Sequence, residues 1–163
     1  MGTLSTAGAK GTSTYSLVSG AGFAVSGDRL VTAAAFDFEA GSSYPVTVQA
    51  VTAAGTKVQQ TFTVTVTNVN EAPTGIALSP NSVSEGQVNA LVGTLSAPDP
   101  DAGDSHSFAL VSGAGDADNA SFQVVGSELR TAVPLHYDNQ SVYSVRVRAT
   151  DAGGATYETA LTV

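Results

Sequence analysis

From Thr61 to Val66 the chain reads Thr-Phe-Thr-Val-Thr-Val, alternating polar with apolar at a period of two. That is the pattern of a strand with one face buried. The same alternation returns along the chain, most clearly at Tyr44–Ala50 and Tyr143–Ala149. No segment sustains apolar residues at i, i+3, i+4 and i+7, so little helix is expected. In the second half the pattern predicts strands at Gly75–Leu78, Leu91–Leu95, His106–Leu110, Phe122–Val125, Leu129–Thr131, Tyr143–Thr150 and Tyr157–Val163. Turn signals separate them: Asp-Pro-Asp-Ala-Gly at 99–103, Ser-Gly-Ala-Gly at 112–115, Gly126-Ser127, Asp138-Asn139 and Asp-Ala-Gly-Gly at 151–154. Seven short strands within about ninety residues, with turns at such intervals, predict a Greek-key β-sandwich.

The pattern occurs twice, in the same order. Gly2-Thr3-Leu4-Ser5 recurs as Gly93-Thr94-Leu95-Ser96, and Tyr15-Ser16-Leu17-Val18-Ser19-Gly20 as Phe108-Ala109-Leu110-Val111-Ser112-Gly113. Phe36-Asp37-Phe38-Glu39 corresponds to Leu135-His136-Tyr137-Asp138, and Tyr44–Ala50 to Tyr143–Ala149. The expected fold class is therefore all-β: two tandem seven-stranded Greek-key sandwich modules. The first is truncated at its N-terminus, because nothing precedes its Gly-Thr-Leu-Ser that matches Thr74–Val92. The expected organisation is a module over 1–67 lacking its first strand, a linker over 68–74, and a near-complete module over 75–163.

Composition narrows the chemistry. The 163 residues carry six Lys and Arg against fourteen Asp and Glu, a net charge of −8. That balance argues against nucleic acid and anionic membranes as partners and makes hard cations the natural counter-charge. With zero cysteines there are no disulfides and no thiolate metal sites. No Ser/His/Asp or Cys/His set and no paired His ligands are visible, so no enzyme is expected. His106 and His136 read as surface or rim residues, and Asp116-Ala117-Asp118-Asn119 reads as a solvated turn.

The acids gather in turns. Asp99-Pro100-Asp101 and Asp151-Ala152-Gly153 each leave a strand end, and Asp37 and Glu39 flank Phe38 as if on one face of an extended segment. The joint Asn68-Val69-Asn70-Glu71-Ala72-Pro73 adds amide and carboxylate oxygens. Calcium takes six to eight oxygens, which several converging loops supply and one loop does not.

This ordered set, with Glu85-Gly86 near the first strand, resembles the cadherin repeat. It is most similar to the cadherin-like tandem repeats of large bacterial surface adhesins, over nearly the whole chain. The resemblance implies Ca2+ bound between successive repeats. The implied ligands are Asp37 and Glu39 from the first repeat, Asn68, Asn70 and Glu71 from the linker, and Asp99, Asp101 and Asp151 from the second. Ser5–Gly8 and Thr52 stand where the second repeat has its acids, so the free end of the first repeat is expected to bind none. At the far end of the second, Glu85 and Asp138 with His136 imply at most a half-built site.

The resemblance implies a calcium-rigidified extender module of a cell-surface adhesion protein, extracellular. Its implied partners are neighbouring repeats of the same chain and a homophilic, cell-surface or glycan partner, with no nucleic acid. The alternative is a carbohydrate- or peptide-binding module of a secreted protein using Tyr15, Tyr44, Tyr137 or Tyr143. The missing first strand leaves an open edge, so the expected state is a monomer or a weak strand-exchanged dimer.

Overall fold

The structure, a computed structural model, describes residues 2–163; Met1 lies outside them. The chain folds as two compact units, Met1–Val69 and Asn70–Val163.

The first unit contains β1 (Thr14–Ser19), β2 (Phe23–Ser26), β3 (Arg29–Thr32), β4 (Ser43–Val51) and β5 (Lys57–Thr65). β4 is the centre of an antiparallel sheet, flanked by β1 and β5, while β2 and β3 form a separate hairpin. Thr3 adds one isolated bridge to Arg29 on that hairpin. Val46 and Val48 project from β4 between the layers, where they meet Phe23 and Leu30 from the hairpin. Phe36 lies with its ring centroid 4.7 Å from Phe23 and 4.8 Å from Tyr44, the latter edge-on. Tilted and edge-to-face aromatic pairs of this kind contribute about 0.5–1.5 kcal/mol each beyond the area they bury.

The second unit contains β6 (Ala77–Ser79), β7 (Leu91–Ser96), β8 (Ser107–Leu110), β9 (Phe122–Val125), β10 (Glu128–Thr131), β11 (Ser144–Thr150) and β12 (Thr156–Thr162). They form a four-stranded sheet in the order β6-β7-β10-β9 and a three-stranded sheet in the order β12-β11-β8. Each predicted strand is present, with ends displaced by at most two residues. Alternation places Val145, Val147 and Ala149 of β11 inward, where they pack with Val92, Leu95, Phe122 and Leu129 from the facing sheet. Among the described residues, Thr131 is the one polar side chain fully enclosed with them. Its hydroxyl donates to the Gln87 carbonyl at 2.9 Å and accepts from the Ala90 amide at 3.0 Å, so burial leaves nothing unsatisfied there.

The Asp116–Asn119 segment is not the solvated turn that its polarity suggests. Asp118 accepts from the Ser144 amide at 2.8 Å, and Asn119 both accepts from the Arg146 amide and donates to the Val111 carbonyl. A short 3-10 turn at Asn119–Ser121 follows. The inserted residues thus cap the open edge of β11 where β8 ends, which is why polar side chains are required there.

The core predicts a specific sensitivity. Leu129 is fully buried, so Leu129→Ala should destabilise the second unit by about 2–5 kcal/mol. Equilibrium urea unfolding followed by circular dichroism measures this.

Candidate metal centre

At one end of the second unit, carboxylate oxygens of Asp99, Asp104 and Asp151 all lie within 4.8 Å of one another. Asp99 and Asp104 come from the loop after β7, and Asp151 from the turn after β11. Two strands that end at the same edge of the sandwich therefore deliver all three.

Local hydrogen bonds aim each group. Asp151 is only 6% exposed. Its Oδ1 accepts from the Ala155 amide at 2.8 Å, and its Oδ2 from Asn70 Nδ2 at 2.9 Å. Burial pushes the Asp151 carboxyl up. The hydrogen bonds from Asn70 and from the amides of Ala155, Gly154 and Gly153 outweigh that and hold it below its ordinary value. Asp151 is thus ionised at neutral pH despite its burial. Asn70 sits so close over Gly153 that a β-carbon there would overlap its amide; the glycine in Asp-Ala-Gly makes room for the linker.

Asp99 accepts from the Asp101 amide at 3.0 Å through Oδ1, and Oδ2 lies 2.8 Å from His106 Nε2. The Asp101 carboxylate instead receives the Glu71 amide at 2.9 Å, and the Asp101 carbonyl accepts from the Asp104 amide at 3.2 Å. The loop 99–106 is wound around its own acids, with one of them turned to grip the linker.

Three carboxylates this close repel one another. Each pair, once ionised, adds unfavourable Coulomb energy that the surrounding water screens only in part. Nothing cationic among the described residues sits inside the triad; His106 engages only Asp99, from one side. The donor set is all hard oxygen, with carboxylates beside an Asn amide and backbone carbonyls. That chemistry fits calcium, and does not fit a soft or nitrogen-preferring metal.

Of the residues expected from sequence, Asp99 and Asp151 converge, Asn70 hydrogen-bonds Asp151, and Asp101 hydrogen-bonds the backbone of Glu71. Asp104 was not anticipated. Its signal was present as a third acid in Asp99-Pro-Asp-Ala-Gly-Asp104, hidden because 99–103 already makes a complete turn signature. The rim assignment of His106 is corrected: its side chain is 10% exposed and bound to Asp99. His136 is exposed, as expected. In the first unit, Asp37 and Glu39 do not share an extended face. Asp37 Oδ1 accepts from the amides of Glu39 and Ala40 at 2.9 and 3.3 Å, so the segment bends into an Asx-type turn. Asn68 lies exposed near the end of that unit. At the far end of the second unit, Glu85 Oε2 accepts from the Tyr137 amide at 2.9 Å.

No protein-family model matches the chain. No curated protein matches it either. Solved structures do. The chain is similar to human protocadherin-24 EC1-2 with a TM-score of 0.70 and 23% identity, covering 93% of this chain and 78% of that one. Protocadherin gammaB7 EC3-6, solved as a cis-dimer, superposes with a TM-score of 0.65 at 19% identity, over 93% of this chain and 40% of that one. Chicken VE-cadherin EC1-2 gives a TM-score of 0.57 at 23% identity, over 99% and 87%. Against protocadherin gammaB7 and protocadherin gamma B2 EC3-6, the chain spans about two fifths of their length. At these identities the likeness establishes the fold: both units are built on the β-sandwich of cadherin extracellular domains.

The hydrogen bonds to Asp151 set a pH dependence. Its folded-state pKa lies below the ordinary 3.8. Its contribution is therefore complete above that value and is lost as pH falls through the lowered folded value. In metal-free buffer, the native chain should lose more stability to urea between pH 5 and pH 2 than Asp151→Asn does. Parallel loss in both would contradict the assignment.

Proposed function

We propose that this chain is a calcium-rigidified extender module of an extracellular, cell-surface adhesion protein, of the kind built from tandem repeats in large bacterial surface adhesins. The observation that carries the reading is the convergence of Asp99, Asp104 and Asp151, three ionisable groups gathered where two strands end. The role is mechanical and non-catalytic.

In this reading Asp99, Asp104 and Asp151 hold calcium directly, with Asn70 and Asp101 keeping the linker in place. Glu71 and backbone carbonyls of the same unit supply further oxygens that a six- to eight-coordinate ion needs. Bound calcium supplies the positive charge that offsets the repulsion among these carboxylates. The chain's own part is to fix them: the Asp151 amide network holds one ionised, and Asp101 ties the Glu71 backbone to the same loop. Linker and loop then order together, and a chain of such modules becomes stiff. Neighbouring repeats are its nearest partners, and a homophilic or surface-glycan contact is made elsewhere on the array.

Scanning calorimetry and small-angle scattering with calcium test this. At about a hundredfold excess over Kd, binding stabilises by roughly 2.7 kcal/mol. For a domain of this size that raises Tm by about 10 °C or more. The maximum dimension should also increase, magnesium should substitute poorly, and Asp104→Asn and Asp151→Asn should each remove most of the rise. An unchanged Tm and an unchanged scattering profile in calcium would contradict the proposal.

One feature supports a second reading. A cavity of about 450 Å³ opens in the second unit between Ser82–Glu85 and the Leu135–Tyr143 segment, with Gln140, Ser141 and Val163 in its wall. Tyr137 stands on its rim with 67% of its surface exposed. An aromatic platform beside clustered hydroxyl, amide and carboxylate groups suits a carbohydrate or a short peptide. Saturable hits on a glycan array that Tyr137→Ala abolishes would favour this reading; a blank array would remove it.

A further inference from the structure

One side chain outside the triad reaches a candidate ligand. His106 Nε2 lies 2.8 Å from Asp99 Oδ2, and the two side chains are 10% and 4% exposed. A carboxylate only accepts, so the imidazole Nε2–H is the donor. Asp99 Oδ1 takes the Asp101 amide at 3.0 Å. Each oxygen of Asp99 thus holds one fixed donor and keeps a lone pair for a ligand. Among the described residues His106 is the one side chain that hydrogen-bonds Asp99. Asp151 is held independently of it, by Asn70 and the Ala155 amide.

The two donors to Asp99 come from different parts of its loop. Asp101 is two residues on, whereas His106 stands just before β8, whose first residue Ser107 pairs with Thr150 beside Asp151. The His106–Asp99 bond therefore ties the start of the loop to the strand that adjoins Asp151. It fixes the Asp99 carboxylate against rotation and closes the span in which Asp104 lies.

The internal repeat isolates this pairing. His106 stands two residues before Phe108, and the matching position before Tyr15 is Ser13. The first repeat also has Ser5–Gly8 where the second has its acids. Histidine and acids are absent together while the strands on either side are kept. That is expected if the ring serves the acids and not the packing of the sandwich.

We propose that His106 is a positioning residue for the cation centre: by clamping Asp99 it sets a preference for calcium over magnesium. The proposal rests on the calcium reading above. Calcium takes oxygens at about 2.3–2.6 Å in flexible geometry, whereas magnesium needs them at about 2.0–2.1 Å in a near-regular octahedron. Held from two sides, Asp99 cannot close to the shorter distance while Asp104 and Asp151 stay in place. Released from His106 it swings, a less well placed ligand for calcium and a more adaptable one for magnesium.

Isothermal titration calorimetry of the full 163-residue chain with calcium chloride and with magnesium chloride tests this. Three variants separate the donor from the ring. Glutamine carries its Nε2 as many bonds from the backbone as histidine does, asparagine stops one bond short, and phenylalanine fills the space without a donor. His106→Asn and His106→Phe should each lose about tenfold in calcium affinity, the low end of what a hydrogen bond to a metal ligand contributes. The loss for magnesium should be smaller, so that the ratio narrows, and His106→Gln should keep the native values. Should His106→Phe fail to fold, His106→Asn against His106→Gln decides. Without metal, the carboxyl carbon-13 resonance of Asp99 should move in His106→Asn and return in His106→Gln, while that of Asp151 holds still. Affinities unchanged in His106→Asn and His106→Phe would overturn the role of His106 and leave the calcium reading standing. Equal losses for the two ions, or a loss that His106→Gln does not rescue, would likewise overturn it. A native chain that takes up no calcium would overturn that reading and the proposal with it.

Discussion

Mutual repulsion of carboxylates gathered at one end of a small sandwich is the constraint on which the second unit's design turns. Asp99, Asp104 and Asp151 lie within 4.8 Å of one another, partly withdrawn from water. A fold seeking stability alone would disperse them, since the strands β7 and β11 could end on neutral turns. Instead the loop spends its backbone amides on them, and Asn70 is brought in from the linker to hold Asp151. The hydrogen bonds to Asp151 keep that carboxylate charged but do not separate it from its two neighbours. A hard divalent cation does offset the repulsion, which is why the arrangement makes physical sense as a metal centre.

Everything beneath this end acts as its support. Val145, Val147 and Ala149 lock β11 against the facing sheet, and β11 runs directly into Asp151. Val92 and Leu95 do the same for β7, whose exit loop carries Asp99 and Asp104. A shift of either strand by one residue would turn its core row outward. It would also move its acids out of the cluster. Core packing and site geometry are therefore one requirement, set by the alternation of side chains along two strands.

How much of this was legible in the sequence follows from what each feature depends on. The strands were, because period-two alternation bounded by Gly, Asp and Asn is a local signal. The convergence of Asp99 and Asp151 was also inferable, since both leave strand ends in a repeat with known order. Asp104 escaped because its role depends on how the loop winds after Gly103, which is not a local property. His106 escaped for a related reason: alternation places it near a strand start, but only the fold brings its ring to Asp99. Asp37 and Glu39 were misjudged as extended because an Asp two residues before a free amide can equally bend the chain onto itself.

The most direct test of a hard-cation centre is carboxyl carbon-13 NMR of the chain labelled at aspartate, titrated with calcium. The account predicts that Asp99, Asp104 and Asp151 shift together and saturate at one stoichiometric end point, while Asp28, in the turn between β2 and β3, stays fixed. Resonances of the three that do not move, or that drift no further than that of Asp28, would contradict it.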